Sequence, residues 1–176
     1  MAGTVVPAVL AGAELGDNVL EVGPGYGAGT RSLLSRTARL TVLERDPDLV
    51  ARLRVSFGDG LTVVHGDATS MPWDRATFSA VVCFTMLHHL SSPVAQDRLF
   101  AEAARVLIPG GVFAGADSRS RLRFRVIHLG DTCTPVAPSG LAERLRRAGF
   151  IDPVVHAEPR AVRFVAHAPS RPVPAQ

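Results

Sequence analysis

Three glycines at alternating positions are the first residues of this chain whose type and spacing suggest chemistry. Gly23, Gly25 and Gly27 follow a short apolar run at residues 19–22 that is typical of a buried parallel strand, and helical spacing begins at Arg31. Because glycine has no Cβ, the backbone can approach a ligand closely, and the amides at the start of the helix attract a carboxylate or a phosphate. The stretch therefore predicts a binding loop for a nucleotide-like cofactor.

An acidic residue stands where such a cofactor needs one. Glu44 ends the apolar run 40–43, about twenty residues beyond the glycines, where nucleotide-binding α/β folds place a carboxylate that accepts hydrogen bonds from ribose hydroxyls. The alternative is a solvated Glu44, or one paired with Arg45. We expect ribose binding because the glycine loop precedes it.

The glycine spacing alone leaves two cofactor classes open. Residues 23–28 also fit the dinucleotide fingerprint Gly-x-Gly-x-x-Ala, so a nicotinamide-dependent oxidoreductase is one alternative. The chain has no lysine and its single tyrosine is Tyr26, which excludes a Schiff base, a P-loop lysine and a Tyr-x-x-x-Lys pair. The two cysteines, Cys83 and Cys133, indicate ordinary thiols rather than a disulfide framework, and we expect no metal site.

Two adjacent histidines are the candidates for acid–base chemistry. His88 and His89 follow the most apolar predicted strand, 78–84, at the edge of the sheet where open α/β folds bind ligands. A neutral imidazole is a suitable base near physiological pH. Neighbouring residues of a helix point in different directions, so at most one histidine should face the site, and a structural role for both stays open.

An arginine-rich segment follows the fifth predicted strand. This irregular insert, 117–138, has arginines at every second position from 119 to 125, followed by a histidine and an aspartate: Arg119, Arg121, Arg123, Arg125, His128 and Asp131. On a solvated face these arginines would bind nothing, whereas facing the site they would bind an acidic acceptor. The formal net charge is only +3, and we attribute the exclusive use of arginine to coding bias rather than to nucleic-acid binding.

Apolar runs alternate with helix signals along the chain, which predicts an α/β fold. Beyond the first strand, we expect strands at 40–43, 61–65, 78–84, 112–116, 151–156 and 160–167, and helices at 4–13, 28–35, 93–107 and 139–148. A further helix should begin at Pro47 with Asp46 as its cap, and Ser92 should cap the helix that begins at Pro93. Leu33 and Leu34 should face the sheet. A length of 176 residues suits one domain, and neither a run of ~20 apolar residues nor a basic signal region is present. We therefore expect a single soluble, cytoplasmic domain.

Four motifs in order resemble those of the class I S-adenosylmethionine-dependent methyltransferases. They are the Glu-x-Gly-x-Gly-x-Gly sequence from Glu21, the acid Glu44, the pair Asp67-Ala68, and the Arg-x-Leu-x-Pro-Gly-Gly sequence from Arg105. The resemblance covers about residues 15–167. It implies a single-domain Rossmann-like α/β fold whose seven-stranded, mostly parallel sheet has the order 3-2-1-4-5-7-6, with the last strand antiparallel and helices on both faces.

The resemblance also assigns site residues. S-adenosylmethionine would bind to Glu21, Gly23, Pro24, Gly25, Gly27, Glu44, Arg45, Asp67, Ala68, Phe84 and Thr85. Asp67 would contact the adenine amino group, although it could also cap the turn at Ala68 and Thr69. His88 and His89 would border the methyl donor. The implied reaction is methyl transfer to a small molecule, anionic if the arginines bind it, giving S-adenosylhomocysteine; a non-catalytic cofactor-binding protein is the remaining alternative.

The domain is expected to occupy residues 1–168, followed by a disordered tail, 169–176. In the family, helices before the glycine loop help to roof the site, so the short segment 1–16 is interpreted as a reduced lid, or else the chain begins downstream of the lid. A second copy of the chain, in a homodimer, would then supply the missing wall. We expect no nucleic-acid and no membrane partner.

Overall fold

The computed structural model describes residue 9 and residues 13–118, 134–159 and 161–170. The strands are β1 (Asn18–Val22), β2 (Arg39–Glu44), β3 (Thr62–His65), β4 (Phe78–Phe84), β5 (Leu107–Ser118), β6 (Ile151–Ala157) and β7 (Ala161–His167). The α-helices that follow Gly27 in this described part are α1 (Ala28–Leu33), α2 (Pro47–Phe57), α3 (Pro93–Val106) and α4 (Leu141–Arg147).

The seven strands form one sheet in the order β3-β2-β1-β4-β5-β7-β6. The first five pair in parallel, and β7 runs antiparallel to both of its neighbours. Both the predicted strand order and the antiparallel last strand are confirmed. Because β1 to β4 are parallel, their C-terminal ends lie at one edge of the sheet and bring the predicted motifs together.

Two hydrophobic clusters cover the two faces of the sheet. On one face, Phe100 of α3 packs with Phe113 of β5 and Phe164 of β7, and the centroids of the last two rings are 5.0 Å apart. On the other face, Leu33 of α1 and Leu53 of α2 cover β1, β2 and β4. Each such fully buried side chain contributes about 1.5–3 kcal/mol to folding, so the loops between these elements start from fixed positions.

Local sequence signals set where α2 and α3 begin. The Asp46 carboxylate accepts from the amides of Asp48 and Leu49, and the Ser92 hydroxyl accepts from the amide of Ala95. A proline follows each cap, in the first turn where its missing N–H leaves no helical hydrogen bond unmade. Both starts match the sequence prediction.

Two element predictions need correction. The fifth strand is Leu107–Ser118 rather than 112–116, because Leu107 pairs with Phe78 before a bulge and Ser118 still pairs with Ala161. The insert predicted from 117 therefore begins after Ser118. Leu34 does not face the sheet: α1 ends at Leu33, and the side chain of Leu34 is 37% exposed.

Several predictions lie outside the described residues. They concern most of the helix 4–13, the polar residues of the segment 119–133 including Cys133, and the tail from residue 171. Within the described part of the chain, no helix is both long and apolar enough to cross a membrane.

Candidate functional site

A cavity of about 580 Å³ opens where the loops after β1, β2, β3 and β4 meet. Its walls comprise residues 22–26, 43–46, 66–68, 84–86 and 89–90, together with Ala28 and Leu49. This volume suits a ligand of cofactor size. Most of the predicted cofactor residues line it: Gly23, Pro24, Gly25, Glu44, Arg45, Asp67, Ala68, Phe84 and Thr85.

The glycine loop contains three left-handed residues with different surroundings. Gly23, Gly25 and Gly27 have φ angles of 64°, 56° and 77°. A Cβ on Gly25 would meet no atom within 4 Å, so this position faces open space in the cavity wall. A Cβ on Gly27 would lie 2.6 Å from the Phe57 ring, so Gly27 allows close packing of α1 on α2 instead of lining the cavity. The loop thus combines a ligand-facing glycine with a packing glycine.

Glu44 connects the glycine loop to the end of β2. One carboxylate oxygen accepts from the Gly25 amide at 3.1 Å, and the other accepts from the amides of Arg45 at 2.8 Å and Asp46 at 3.0 Å. The residue is buried but lies in the cavity wall. Since a carboxylate accepts about four hydrogen bonds, Glu44 retains room for one further donor without breaking an existing contact.

Asp67 lies in the cavity wall, in the turn after β3. Its Oδ1 accepts from the amide and the hydroxyl of Thr69, at 2.7 and 2.8 Å. These hydrogen bonds, with a smaller contribution from the charge of Arg45, hold the pKa of Asp67 below its usual value. The carboxylate is therefore ionised at neutral pH and available as an acceptor, so the capping role and a ligand role coexist.

Residues 20–115, more than half of the chain, match the family model described as "Methyltransferase domain". The chain belongs to this methyltransferase family. The matched range begins inside β1 and ends in β5, and it therefore contains the whole cavity wall described above.

Curated relatives match short parts of the methyltransferase chain. A ribosomal RNA small subunit methyltransferase A from Cupriavidus taiwanensis is 45% identical over 62 residues, which cover 35% of this chain and 22% of the relative. The mycinamicin-resistance protein MyrB from Micromonospora griseorubida is 41% identical over 76 residues, covering 43% of this chain and 24% of the relative. The chain thus aligns with about a quarter of the length of these two proteins.

Solved structures agree in fold over nearly the whole methyltransferase chain. A complex between the Haloferax volcanii Trm112 methyltransferase activator and a methyltransferase matches with a TM-score of 0.78 and 21% identity, covering 94% of this chain and 89% of that one. An S-adenosylmethionine-dependent methyltransferase from Mesorhizobium loti matches with a TM-score of 0.77 and 17% identity, covering 95% of this chain and 100% of that one. The fold is therefore that of the class I methyltransferases.

Glu21, predicted as a cofactor residue, lies beneath the cavity rather than in its wall. It is 1% exposed and accepts from the Thr30 hydroxyl at 2.6 Å. Burial raises the pKa of Glu21 from 4.5 to about 7, an effect that the Thr30 hydrogen bond opposes and the charge of Glu44 reinforces. A Cβ on Gly29 would collide with the other Glu21 oxygen. The start of α1 can therefore pack closely on this carboxyl only because residue 29 is a glycine.

The buried Glu21 predicts a pH dependence of stability in the methyltransferase. The pKa of Glu21 is higher in the folded than in the unfolded chain, so the protonated carboxyl contributes most to the free energy of unfolding below about pH 4.5. This contribution falls by roughly 3 kcal/mol as the pH rises through 7. Glu21→Gln, which stays neutral and can still accept from Thr30, should remove this loss and be more stable than wild type above pH 7. Urea unfolding between about pH 5 and pH 8 measures the difference.

The control for this experiment is Glu143→Gln, since Glu143 is an exposed residue of α4 paired with Arg146 at 3.6 Å. It should leave the shape of the pH curve unchanged. Parallel curves for wild type and Glu21→Gln would show that Glu21 is ionised in the folded state throughout this range.

Arg105, noticed in the sequence only as part of a motif, holds one wall of the site in place. Its guanidinium donates to the carbonyls of Trp73 at 2.6 Å and Met71 at 3.0 Å, and it pairs with Glu102 at 2.7 Å. Glu102 in turn accepts from the Met71 amide at 2.6 Å. The pair therefore fixes the turn that follows Asp67 onto α3.

Thr85, which lines the cavity at the end of β4, has an unusual backbone conformation. Its φ of 53° lies in the left-handed region, which a β-branched residue rarely adopts. The Thr85 amide donates to the Ala116 carbonyl at 2.7 Å, and its hydroxyl donates to the Phe84 carbonyl at 2.8 Å. Such conformations cost about 1–3 kcal/mol and cluster at functional sites.

The two histidines occupy different places in a 3₁₀ turn at residues 87–89. His89 is exposed and lines the cavity, whereas His88 is buried and pairs with Asp117 at 2.6 Å. Only one imidazole therefore faces the cavity, as the geometry of adjacent residues led us to expect. Sequence reasoning missed Asp117, although an acid at the C-terminal end of a parallel strand is a recognisable signal.

Cys83 takes no part in this chemistry. It is fully buried in β4, and burial, followed by the charges of Asp117 and Glu21, raises the pKa of its thiol well above the usual value. A thiol that stays protonated is neither a nucleophile nor a metal ligand. The interpretation of Cys83 as a packing residue agrees with this environment.

Proposed function

We propose that this protein transfers a methyl group from S-adenosylmethionine to a small-molecule acceptor. One observation carries the proposal: the Glu44 carboxylate lies in the cavity wall and is hydrogen-bonded to the amide of Gly25 in the glycine loop. A ribose-binding acid joined to a Gly-rich turn is the arrangement that adenosine cofactors require. The match of residues 20–115 to the methyltransferase family favours S-adenosylmethionine over a nicotinamide.

The cavity residues suit the parts of this cofactor. Glu44 would accept from a ribose hydroxyl, Asp67 would accept from the adenine amino group, and Gly25 leaves space for the methionine end over the glycine loop. When bound, S-adenosylmethionine supplies a sulfonium methyl carbon, and its C–S bond breaks with the electron pair left on sulfur as the acceptor atom bonds to that carbon. The residues of the chain need only bind and orient the two reactants.

Orientation alone accounts for much of the rate in such a reaction. Holding two reactants in a near-attack geometry contributes on the order of 7–11 kcal/mol. A base is needed only where the acceptor carries a proton on the reacting atom. His89, exposed in the cavity wall next to Thr85 and Met86, is the residue we propose to take that proton.

A second acceptor class is suggested by the surface beside the glycine loop. Tyr26 is 70% exposed, and the guanidinium of Arg52 lies 5.1 Å from the centroid of its ring. An exposed aromatic ring with nearby arginine is the kind of platform on which single-stranded bases stack. With relatives named as ribosomal RNA methyltransferases, this favours RNA as the alternative to a small molecule.

One experiment separates these options. The full chain is incubated with methyl-labelled S-adenosylmethionine and either a metabolite extract or ribosomal RNA, and the label is followed into product. Label in a small molecule supports the proposal, and label in RNA supports the alternative. Tight binding of S-adenosylhomocysteine without transfer to either would indicate a non-catalytic binding protein, and binding of NADH instead would exclude the cofactor assignment.

Removing the Glu44 carboxylate should weaken cofactor binding. Glu44→Ala loses a charged acceptor, which is worth roughly 1.5–3 kcal/mol, or about tenfold to more than a hundredfold in Kd. Part of this loss arises because Gly25, Arg45 and Asp46 lose the acceptor of their amides. Calorimetric titration with S-adenosylhomocysteine measures the change, with Glu143→Gln as the control. An unchanged Kd would place the ribose elsewhere in the cavity.

A further inference from the structure

A buried, hydrogen-bonded pair of side chains lies directly behind the cavity wall. Asp117, near the end of β5, and His88, in the 3₁₀ turn after β4, have side chains that are 0% and 5% exposed. The Nδ1 atom of His88 lies 2.6 Å from Oδ1 of Asp117. Neither residue lines the cavity, and the methyl transfer proposed above assigns a role to neither.

The Asp117 carboxylate accepts hydrogen bonds from three donors among the described residues. Oδ1 accepts from the Ser118 amide at 2.6 Å as well as from His88 Nδ1, and Oδ2 accepts from the His88 amide at 3.0 Å. A carboxylate can only accept, so Nδ1 of His88 must carry the proton. In the neutral imidazole the lone pair is then on Nε2, which fixes both the tautomer and the rotation of the ring.

The His88 ring connects this pair to the cavity. It lies against the ring of His89, with centroids 4.1 Å apart and planes inclined by 38°. His89 is the cavity-lining imidazole that we propose as the base. Asp117 thus determines the position of His88, and the His88 ring supports one side of the catalytic imidazole.

The backbone around His88 is held equally firmly. Its carbonyl accepts from the Thr134 amide at 2.8 Å, and the buried side chain of Gln96 donates to the carbonyls of Leu87 and Thr134, at 3.0 and 2.9 Å. A clamp of this kind would keep the turn in place even without an imidazole at residue 88. These contacts do not involve the imidazole, so the effect of the ring can be tested separately from the position of the backbone.

The geometry points to Asp117 as a positioning residue for methyl transfer, which acts by holding His88 in its Nδ1-protonated tautomer so that the stacked ring orients His89. This inference rests on the proposed function, because it gives His89 its orientation for that reaction. It assigns Asp117 and His88 no contact with the acceptor. Misplacement of a catalytic group by about 1 Å can cost on the order of a hundredfold in rate.

The test compares Asp117→Asn and His88→Asn with wild type and with Glu143→Gln. The ring and the backbone amide of His88 bind different oxygens of Asp117, so an asparagine at 117 can place its oxygen toward only one of these donors and turns its own N–H₂ group toward the other. An asparagine at 88 keeps an N–H donor for Asp117 and hence the clamp, but it removes the ring. If Asp117 only clamps the turn, His88→Asn should behave as wild type.

Two measurements decide the matter. Nitrogen-15 NMR of histidine-labelled protein should show Nδ1 of His88 protonated in wild type and the tautomer altered in Asp117→Asn. Turnover on the acceptor found in the labelling experiment should fall roughly tenfold to a hundredfold in kcat for both variants, while the Kd for S-adenosylhomocysteine stays within about twofold.

Three results would overturn the inference. These are an Nε2-protonated His88 in wild type, an unchanged kcat in His88→Asn, or a cofactor Kd that weakens in parallel with kcat in both variants. Failure of the proposed function looks different, because wild type itself would then either not bind S-adenosylhomocysteine or not transfer the methyl label to a small molecule. Normal binding by wild type with unaltered turnover in the variants contradicts the positioning role alone.

Discussion

Replacing His89 by asparagine should lower the rate of methyl transfer by about 10²–10⁴, the contribution expected of a general base. His89 is exposed in the cavity wall and stacks on His88, so asparagine removes the imidazole without opening a buried cavity. The cofactor residues Glu44 and Asp67 are untouched, and the Kd for S-adenosylhomocysteine should remain nearly that of wild type. Initial rates at saturating S-adenosylmethionine measure the loss.

The pH dependence distinguishes a base from a positioning group. If His89 removes a proton from the acceptor, the loss in His89→Asn should become smaller at high pH, where solvent or the ionised acceptor replaces the base. His156→Asn is the matched control, because His156 is an exposed histidine on β6 and does not line the cavity. A loss of less than about threefold that does not vary with pH would show that His89 is not a base.

Replacing Gly27 by valine should destabilise the fold by roughly 2–5 kcal/mol, the sum of a left-handed backbone penalty and of overpacking. The φ of Gly27 is 77°, and its Cβ would lie 2.6 Å from the Phe57 ring and 3.3 Å from Leu53. Relief of this contact requires either the Phe57 ring or the whole of α2 to move away from α1. For a chain of this length the midpoint of thermal unfolding should fall by roughly 4–20 °C, which calorimetry or circular dichroism measures.

Gly140→Val separates the two causes. Gly140 is left-handed like Gly27, with a φ of 82°, but a Cβ there would meet no atom within 4 Å, so only the backbone penalty of about 1–2 kcal/mol applies. We expect Gly27→Val to be clearly the more destabilising variant. Equal losses at the two positions would mean that Phe57 moves aside at little cost.

The parts of this structure that follow from local patterns could be predicted from the sequence. The motif resemblance implied the strand order, and the caps at Asp46 and Ser92 predicted the starts of two helices. Gly25 and Glu44 were placed in one site because parallel strands bring their C-terminal ends together. The hydrogen bond from the Gly25 amide to the Glu44 carboxylate was not predicted from the sequence.

What could not be predicted depends on packing between distant elements. Nothing in the spacing of the glycines shows that Gly27 packs on Phe57 while Gly25 faces the cavity. Likewise, the sequence shows only that Glu21 belongs to the glycine motif. The structure shows that β1 lies deep in the sheet, so that the Glu21 carboxyl is buried and accepts from the Thr30 hydroxyl. The pairing of His88 with Asp117 joins residues 29 positions apart on neighbouring elements.

The anchoring of His88 joins two parts of the chain that are distant in sequence. Asp117 of β5 and Thr134, which precedes α4, both hydrogen-bond to His88. The turn at residues 87–89 is thus held from both sides, and neither anchor lines the cavity. A substitution at the end of β5 or before α4 should therefore act on the cavity from outside it, through the position of His88.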